Sequence, residues 1–264
     1  MFRLPFFRQP EFYKHTMPRF YIPNLSEESV LADAELCFRL PENTVRHINS
    51  LRLKNGERIT LFDGNGYEYT AILKIESKNA YWAEMGEKNA VCRESPVHIV
   101  LIQAVSTGEK MDFTVQKAVE LGVAEIYPVL SEFSSVRLSG ERAEKRRNRW
   151  QEIAIAACEQ CGRNTVPKIQ PVQSLHNIFN NLPIADKYIL LSPQGSLKLT
   201  EIQNKPQKIV LLIGAEGGFS AAEEQVAKDK GFVPIQLGKR ILRTETASIA
   251  TIAALQTLWG DFVA

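Results

Sequence analysis

The sequence predicts an α/β protein in which a small β-rich part precedes a larger part built on a parallel sheet. Over residues 17–92, short segments are separated by Asp-Gly and Asn-Gly pairs, which supply the positive backbone angles of hairpin turns. Beyond residue 96, apolar strands alternate with segments of helical periodicity, a pattern typical of a parallel sheet covered by helices. The 264 residues, 44% of them hydrophobic, suffice for one or two domains with substantial cores.

The first part is predicted to be a small barrel or curled sheet. We expect strands at residues 17–23, 59–62, 67–75 and 80–85, with one helix near residues 43–51. Residues 1–16 mix aromatic, basic and proline residues without a period, so they predict a loose N-terminal extension. They lack the apolar core of a secretory leader. Since Met17 opens the first predicted strand, it is a candidate alternative start.

The second part, residues 96–264, is predicted to alternate strands with helices. Residues 112–121 have apolar positions at helical spacing and stop at Gly122, whereas residues 208–213 are the apolar run of a buried strand. The remaining strands are expected at residues 97–105, 125–130, 187–191 and 233–237, and the remaining helices at 141–161, 220–230 and 244–259. The boundary between the two parts falls near residues 87–96.

Composition and charge exclude several classes of protein. The longest unbroken hydrophobic run has six residues, whereas a membrane-spanning helix needs about 20. The net charge of +2 does not by itself predict a polyanionic partner. Four cysteines are too few for a disulfide scaffold, and the single Cys158/Cys161 pair lacks the second pair of a zinc site. We therefore expect a reduced, cytoplasmic protein without a metal.

A glycine-rich loop is the most informative local feature. After the apolar strand come three glycines within five residues, at 214, 217 and 218, and Ser220 and Glu223 then have the spacing of a helix capping box. Ligands of parallel α/β sheets bind at this edge, where glycines let them approach the backbone. The spacing fits neither the dinucleotide nor the phosphate-loop motif, and Glu216 suits a ligand with positive charge or hydroxyls. The alternative is that the glycines only make a tight turn.

A second loop, residues 237–247, also leaves a strand and enters a helix. Because Arg243 places a cation in a first helical turn, against the helix dipole, it points to a role beyond the helix itself. The two loops are placed to form two walls of one pocket. The alternative for Arg243 is a solvated residue at the start of the helix.

In these loops and in further blocks, the chain from Met17 onward resembles the 16S ribosomal RNA uridine-N3 methyltransferases (RsmE family) of the SPOUT class. The blocks include MPRFY at residues 17–21, KMDF at 110–113, EQCGRN at 159–164 and LGKRILRTETA at 237–247. The resemblance implies a PUA-like RNA-binding β-barrel over 17–92 and an α/β methyltransferase domain with a trefoil knot over 96–264. It also implies S-adenosylmethionine as the cofactor, a homodimer, and a substrate uridine in the decoding region of the assembled 30S subunit.

The resemblance also assigns residues. It implies a cofactor pocket lined by Gly214, Gly217, Gly218, Leu237, Ile241, Leu242 and Thr246, with Leu191 and Ser192 as secondary candidates. Glu216, Gly238 and Arg243, from the same two loops, complete the predicted set of cofactor residues. The family commonly has Pro where Ala215 stands and usually has Lys where Thr107 stands. The lysine that Thr107 replaces is expected to contact an RNA phosphate, and Lys110 is the expected substitute for it. The other candidate RNA-binding residues are Arg19, His47, Arg52 and Lys54.

Methylation at uracil N3 replaces a proton on a poor nucleophile, so the site must favour the deprotonated base. We expect Arg243 and Arg163 to stabilise the uracilate charge, and Glu216 to orient the cofactor or relay the proton. Capping of the preceding helix is the alternative for Arg163.

Other interpretations of the sequence stay open. Residues 137–149 carry a local charge of +4, which suits either RNA phosphates or a solvated helix face. For the whole chain, the alternatives are a non-catalytic RNA-binding ribosome assembly factor that retains the fold, and an enzyme that uses the glycine loop for a different nucleotide.

Overall fold

The computed structural model describes residues 17–23, 25, 37–78, 80–203 and 205–262 of the chain. The expected N-terminal extension, residues 1–16, lies outside these ranges, so the alternative start stays a prediction. The chain divides into two compact units, one up to Cys92 and one from Arg93.

In its described residues, the first unit is a five-stranded sheet with one helix, α1 (Glu42–Leu51). Its strands are β1 (Arg19–Tyr21), β2 (Cys37–Arg39), β3 (Arg58–Phe62), β4 (Tyr67–Ser77) and β5 (Ala80–Ala90). They lie in the order β1-β3-β4-β5-β2, with β1 parallel to β3 and the other pairs antiparallel. Phe20, Ile48 and Leu61 are fully buried in a core that the inward faces of these elements share.

The turn between β3 and β4 follows from its Asp-Gly-Asn-Gly sequence. The Asp63 carboxylate accepts hydrogen bonds from the backbone N–H groups of Asn65 (2.7 Å) and Tyr67 (3.2 Å). Gly64 and Gly66 have φ angles of 82° and 100°, which side chains rarely adopt. The turn sets the register in which β3 and β4 pair.

Two features of this sheet exceed the sequence prediction. Strand β5 continues to Ala90, five residues beyond its expected end, because the start of β4 pairs with it from Tyr67 onward. The added residues are exposed, so no apolar alternation marks them. Strand β2 has only three residues, which is too short to establish a period.

The second unit is a parallel α/β sheet with helices on both faces, which confirms the predicted fold class. Its strands are β6 (His98–Ala104), β7 (Val123–Leu130), β8 (Lys168–Ile169), β9 (Gln173–Ser174), β10 (Lys187–Leu191), β11 (Lys208–Ile213) and β12 (Val233–Ile235). The order is β12-β10-β11-β6-β7-β8, with β9 also paired to β7. All strand pairs are parallel.

The helices of this unit are α2 (Glu109–Glu120), α3 (Gly140–Cys161), α4 (Leu175–Asn180), α5 (Ala221–Asp229) and α6 (Thr244–Trp259). A 3-10 turn at Leu199–Glu201 lies in the connection from β10 to β11. Residues of α4 and α5 share one buried cluster with the sheet. Helix α2 packs against α3 and α6, and α6 also contacts β11 and the 3-10 turn. Among the helices of the described ranges, none is long and apolar enough to cross a membrane.

Candidate active site

A cavity of about 900 Å³ opens at the carboxyl ends of β10, β11 and β12. This volume lies within the usual range for small-molecule sites. Three loops form most of its wall: the residues that follow β10, the glycine loop after β11, and residues 236–243 between β12 and α6. Lys110 at the start of α2 and Glu224 in α5 complete the wall, so both predicted loops face one cavity.

Two positions of the glycine loop have no room for a side chain, one because of the loop itself and one because of the loop after β7. A Cβ on Gly214 would lie 2.9 Å from the Cα of Gly218, and a Cβ on Gly217 would lie 2.8 Å from the Cβ of Phe133. Gly218 has a φ of 70° and donates its N–H to the carbonyl of Ala215 at 3.0 Å. Here the glycines provide both a tight turn and bare backbone facing the cavity.

The capping box predicted after this loop is present. The Ser220 hydroxyl accepts from the N–H of Glu223 at 3.3 Å, and the Glu223 carboxylate accepts from the N–H of Ser220 at 2.9 Å. The same carboxylate accepts from the N–H of Glu132 at 2.8 Å. Glu223 therefore fixes the start of α5 and joins the glycine loop to the loop after β7.

A buried hydrogen-bond chain connects β6, the glycine loop and the start of α6. Ser248 donates to Oε1 of Gln103 at 2.6 Å, and Nε2 of Gln103 donates to the Thr244 hydroxyl and to the carbonyl of Ala104, both at 3.0 Å. The Thr244 hydroxyl in turn donates to the carbonyl of Gly214 at 2.5 Å. Because Thr244 accepts from the Gln103 amide, its own hydrogen is directed to Gly214. These hydrogen bonds thus all run in one direction, from Ser248 to Gly214, and they hold the glycine loop against α6.

Glu216 is the carboxylate at the mouth of the cavity. It accepts hydrogen bonds from the ammonium of Lys110 (2.8 Å) and from the hydroxyl and N–H of Thr107 (2.9 and 3.2 Å). Burial favours its neutral form, but these hydrogen bonds, with that of its own backbone N–H, outweigh the burial and lower its pKa to about 2. Glu216 is therefore ionised at neutral pH and tied to the loop that precedes α2.

The charged groups of the cavity are predominantly cationic. Its wall carries four cations, Lys110, Lys239, Arg240 and Arg243, and two carboxylates, Glu216 and Glu224. The hydroxyl of Ser192 donates to Glu224 at 3.1 Å. Within the described part of the chain, no carboxylate lies within ion-pair distance of Arg243, which is exposed at the N-cap of α6. Its guanidinium is available to a ligand.

The structure brings eleven of the twelve predicted cofactor residues to the cavity wall. The exception is Thr246, which is exposed in the first turn of α6, whereas Thr244 and Ala247 line the cavity in its place.

Arg163, expected beside the substrate, does not line the cavity. It is 4% exposed, forms an ion pair with Glu94 and donates to the carbonyls of Val119 (2.8 Å) and Val123 (2.9 Å). Its guanidinium thus joins the end of α2 to the start of β7. It also does not cap α3, because its guanidinium donates to Glu94 and to the carbonyls of Val119 and Val123, none of which belongs to that helix. The geometry assigns Arg163 a structural role.

Four of the predicted RNA-binding residues lie in the first unit. Arg52 and Lys54 are exposed, and Arg52 has the left-handed φ of 58° at the C-cap of α1. Arg19 pairs with Glu68 at 2.8 Å, and His47 packs edge-on against Phe20. The fifth predicted residue, Lys110, lines the cavity.

Sequence reasoning missed several residues of the site. Lys239, Arg240 and Thr244 lie within the second predicted loop, residues 237–247. Glu224 instead faces the cavity from the first turn of α5, the helix after the glycine loop. Gln103 had a recognisable signal, because it is the only polar residue in the run from Ile99 to Val105. A fully buried amide in such a strand requires hydrogen-bond partners.

Comparisons with known proteins agree with this arrangement. Residues 93–256 match the model of an RNA methyltransferase domain, and residues 40–85 match that of an RNA methyltransferase PUA domain. A ribosomal RNA small subunit methyltransferase E from Buchnera aphidicola is 37% identical over 91% of this chain and 95% of its own length. The protein of the same name from Bacillus subtilis is 30% identical over 85% of this chain and 93% of its own.

Two solved structures extend the likeness to three dimensions. A ribosomal RNA small subunit methyltransferase E from Neisseria gonorrhoeae, bound to S-adenosylmethionine, is 46% identical with a TM-score of 0.84. A protein from Legionella pneumophila described as a methyltransferase, in complex with the same cofactor, is 35% identical with a TM-score of 0.87. Each comparison covers 94% of this chain and 100% of the other.

Proposed function

Since this chain belongs to the ribosomal RNA small subunit methyltransferase E family, we propose that it methylates N3 of a uridine in 16S ribosomal RNA. The substrate is a uridine of the decoding region in the assembled 30S subunit, and the methyl donor is S-adenosylmethionine. The observation that carries the proposal is one cavity walled by bare glycine backbone on one side and on another by Lys239, Arg240 and Arg243, which form no ion pair with any described residue.

The residues present fit this cofactor. Gly214 and Gly217 leave no space for side chains, so a ligand can approach the backbone of the loop. Leu237, Ile241 and Leu242 supply apolar surface for a flat ring. Glu216 and Glu224 supply carboxylates, which suit the positive charge and hydroxyls of S-adenosylmethionine. When bound, S-adenosylmethionine supplies an electrophilic methyl group on a sulfonium.

The role of Arg243 follows from the charge that develops on the substrate. Loss of the N3 proton leaves negative charge on the uracil oxygens O2 and O4, and an unpaired guanidinium at the cavity wall is placed to stabilise it. Lys110 is less suited to this role because Glu216 already holds its ammonium.

Glu216 orients the site and does not relay the proton. A carboxyl with a pKa of about 2 is a very weak base, so it does not retain a proton at neutral pH. Its three hydrogen bonds instead hold the glycine loop against Thr107 and Lys110. In this proposal the N3 proton leaves to solvent at the open mouth of the cavity.

The proposal includes a cytoplasmic homodimer with no membrane or metal requirement. A partner subunit would add residues to the open side of the cavity, so the monomer is expected to be inactive. Sedimentation of active samples tests this point, and an active monomer would contradict it.

Transfer of labelled methyl from S-adenosylmethionine to unmodified 30S subunits and to naked 16S RNA tests the proposed activity. We expect 3-methyluridine on the 30S subunit, identified by mass spectrometry of nucleosides. Cofactor binding without transfer to either substrate would instead favour an assembly factor. Tight binding of another nucleotide, with no binding of S-adenosylmethionine, would favour a different enzyme class.

Arg243→Ala tests the catalytic assignment. We expect kcat to fall about 100-fold or more, the usual loss when a group that stabilises a developing anion is removed. The dissociation constant of S-adenosylmethionine should change little, because the glycine loop and the apolar wall remain. Arg243→Lys, which keeps the charge, should recover part of the rate. Near-wild-type turnover of Arg243→Ala would refute the assignment.

A further inference from the structure

The first half of α3 carries a group of exposed cations that the proposed chemistry does not use. Arg142, Lys145 and Arg146 are spaced so that they share one side of the helix. We call these three residues the α3 basic face. All three are exposed.

The α3 basic face has no partner within the residues that the structure describes, whereas its neighbours do. Arg147 pairs with Glu144 at 2.5 Å, and Arg149 pairs with Asp112 of α2 at 2.6 Å. Two cations of this helix are therefore neutralised locally, and the three of the basic face are left to solvent.

The position of these cations does not serve the helix itself. Arg142 lies in the first turn beside Glu141, and only the carboxylate of Glu141 compensates the positive end of the helix dipole. Lys145 and Arg146 lie beyond that turn, and the last turn of α3, where cations stabilise a helix, has none. Helix stability therefore does not explain the three charges.

The α3 basic face lies at the same edge of the sheet as the cavity. Helix α3 follows the carboxyl end of β7, and α2 follows the carboxyl end of β6, so both helices begin at the edge where β10 and β11 end. Lys110, in the first turn of α2, lines the cavity. Two residues later, Asp112 accepts from Arg149 and holds α3 against that same turn. The cations thus continue the positive charge of the cavity across α2.

We propose that the α3 basic face binds phosphate groups of the ribosomal RNA that flanks the target nucleotide. The inference rests on the proposed function, because it takes RNA to be the substrate. Exposed Lys and Arg side chains contact phosphates without reading sequence, so the face sets the position of the RNA and not the identity of the base. RNA that reaches the cavity would pass over α2 before it meets α3.

Binding of the full-length protein to unmodified 30S subunits, measured over a range of salt concentrations, tests this surface. In Arg142→Gln/Lys145→Gln/Arg146→Gln, the slope of log K against log salt should decrease by about 2, because each lost phosphate contact removes roughly 0.7 to 0.9. The affinity for S-adenosylmethionine and kcat at saturating 30S should stay at wild-type values, and KM for 30S should rise.

Two matched variants separate local contact from general effects. Lys205→Gln/Lys228→Gln/Lys230→Gln removes the same charge from exposed positions at the opposite, amino edge of the sheet, and should leave the slope unchanged. Arg142→Lys/Arg146→Lys keeps the charge on α3 and should retain the wild-type slope. Equal loss of slope in both triple variants would overturn the proposal, since net charge alone would then explain it.

The outcomes distinguish this surface from the function on which it rests. A wild-type slope in the α3 triple variant, together with normal methyl transfer, would overturn the surface alone. The wild-type protein could show a steeper slope of log K against log salt than the α3 triple variant but yield no 3-methyluridine. That result would overturn the function and leave the phosphate surface supported.

Discussion

Glu216 illustrates how a single carboxylate at the site is tuned by its neighbours. Its pKa is lowered to about 2 in the folded protein, so it contributes stability above its unfolded pKa that is lost as the pH falls through about 2. Between pH 5 and 9 it stays ionised and cannot produce an inflection in the rate.

We therefore expect Glu216→Gln to lower activity without removing any inflection of the pH–rate profile in that range. The loss of activity follows from the weakened hold on Lys110 and Thr107. Measurement of kcat/KM against pH for the wild-type protein and for Glu216→Gln tests this expectation. If an acidic inflection of the wild type disappears in Glu216→Gln, the carboxylate is a base after all.

The buried hydrogen bonds that link Gln103, Thr244 and Gly214 lead to a second prediction for single residues. Thr244→Val keeps the shape of the side chain but removes the 2.5 Å donor to the carbonyl of Gly214, which keeps only the 3.5 Å contact from Nε2 of Gln103. Loss of a hydrogen bond of this kind costs about 0.5–1.5 kcal/mol. We expect weaker binding of S-adenosylmethionine, by roughly tenfold, with recovery in Thr244→Ser; calorimetric titration measures both.

Thr251→Val is the control for this substitution. Thr251 is equally buried in α6, but its hydroxyl donates to the carbonyl of Ala247 within the helix. The control is expected to lower the free energy of unfolding slightly and to leave cofactor affinity unchanged. Equal loss of affinity in both variants would show that α6 stability, and not the link to Gly214, controls the site.

One physical difference separates Arg243, which lies at the predicted cavity, from Arg163, which is buried away from it. Arg243 could be placed at the pocket because its loop, the following helix and the adverse dipole are all local in sequence. Arg163 could not, because its partner Glu94 is 69 residues distant and only the fold brings them together. A buried arginine and an arginine at a cavity wall look alike in sequence until the carboxylate beside one of them is known.

At the scale of elements, the boundaries of the long helices and central strands were predictable from periodicity. Strand β11 and helix α6 have the bounds that the sequence predicted, because each has a strong pattern and a clear stop. Strands β8 and β9, with two residues each, and the short helix α4 were not predicted. Elements of this length depend on their neighbours and have no period of their own.

The close packing of the glycine loop at Gly214 leads to a prediction about the loop as an element. In Gly214→Ala, the new methyl group would meet the backbone of Gly218 at 2.9 Å, which cannot move aside as a flexible side chain does. We expect the loop to shift and the affinity for S-adenosylmethionine to fall by about tenfold or more, while the secondary structure remains.

Gly231→Ala serves as the comparison, because Gly231 follows the other end of α5. It has a φ of 89° but open space around it, so alanine there strains the backbone without a collision. Its expected effect is on the midpoint of thermal unfolding and not on cofactor affinity. If Gly214→Ala bound the cofactor normally, the close approach within the loop would have no functional meaning.

At the scale of the whole molecule, a net charge of +2 conceals an uneven distribution of cations. The cavity of the second unit gathers four cations in its wall, and the α3 basic face adds three on the same edge of the sheet. In the first unit, Arg52 and Lys54 are exposed, whereas Arg19 pairs with Glu68. Composition alone therefore could not predict an RNA partner, since only the fold shows which cations face solvent together.

This distribution predicts that both units contribute separately to the salt dependence of binding to the 30S subunit. Arg52→Gln/Lys54→Gln should lower the slope of log K against log salt by about 1 to 2, with no change in stability or cofactor affinity. Arg19→Gln should instead lower the free energy of unfolding, because it breaks an ion pair that is mostly buried. Since the slope counts released counterions, the losses from Arg52→Gln/Lys54→Gln and from the α3 triple variant should add when the two are combined. A combined loss no larger than that of the α3 triple variant would contradict a separate contribution of Arg52 and Lys54.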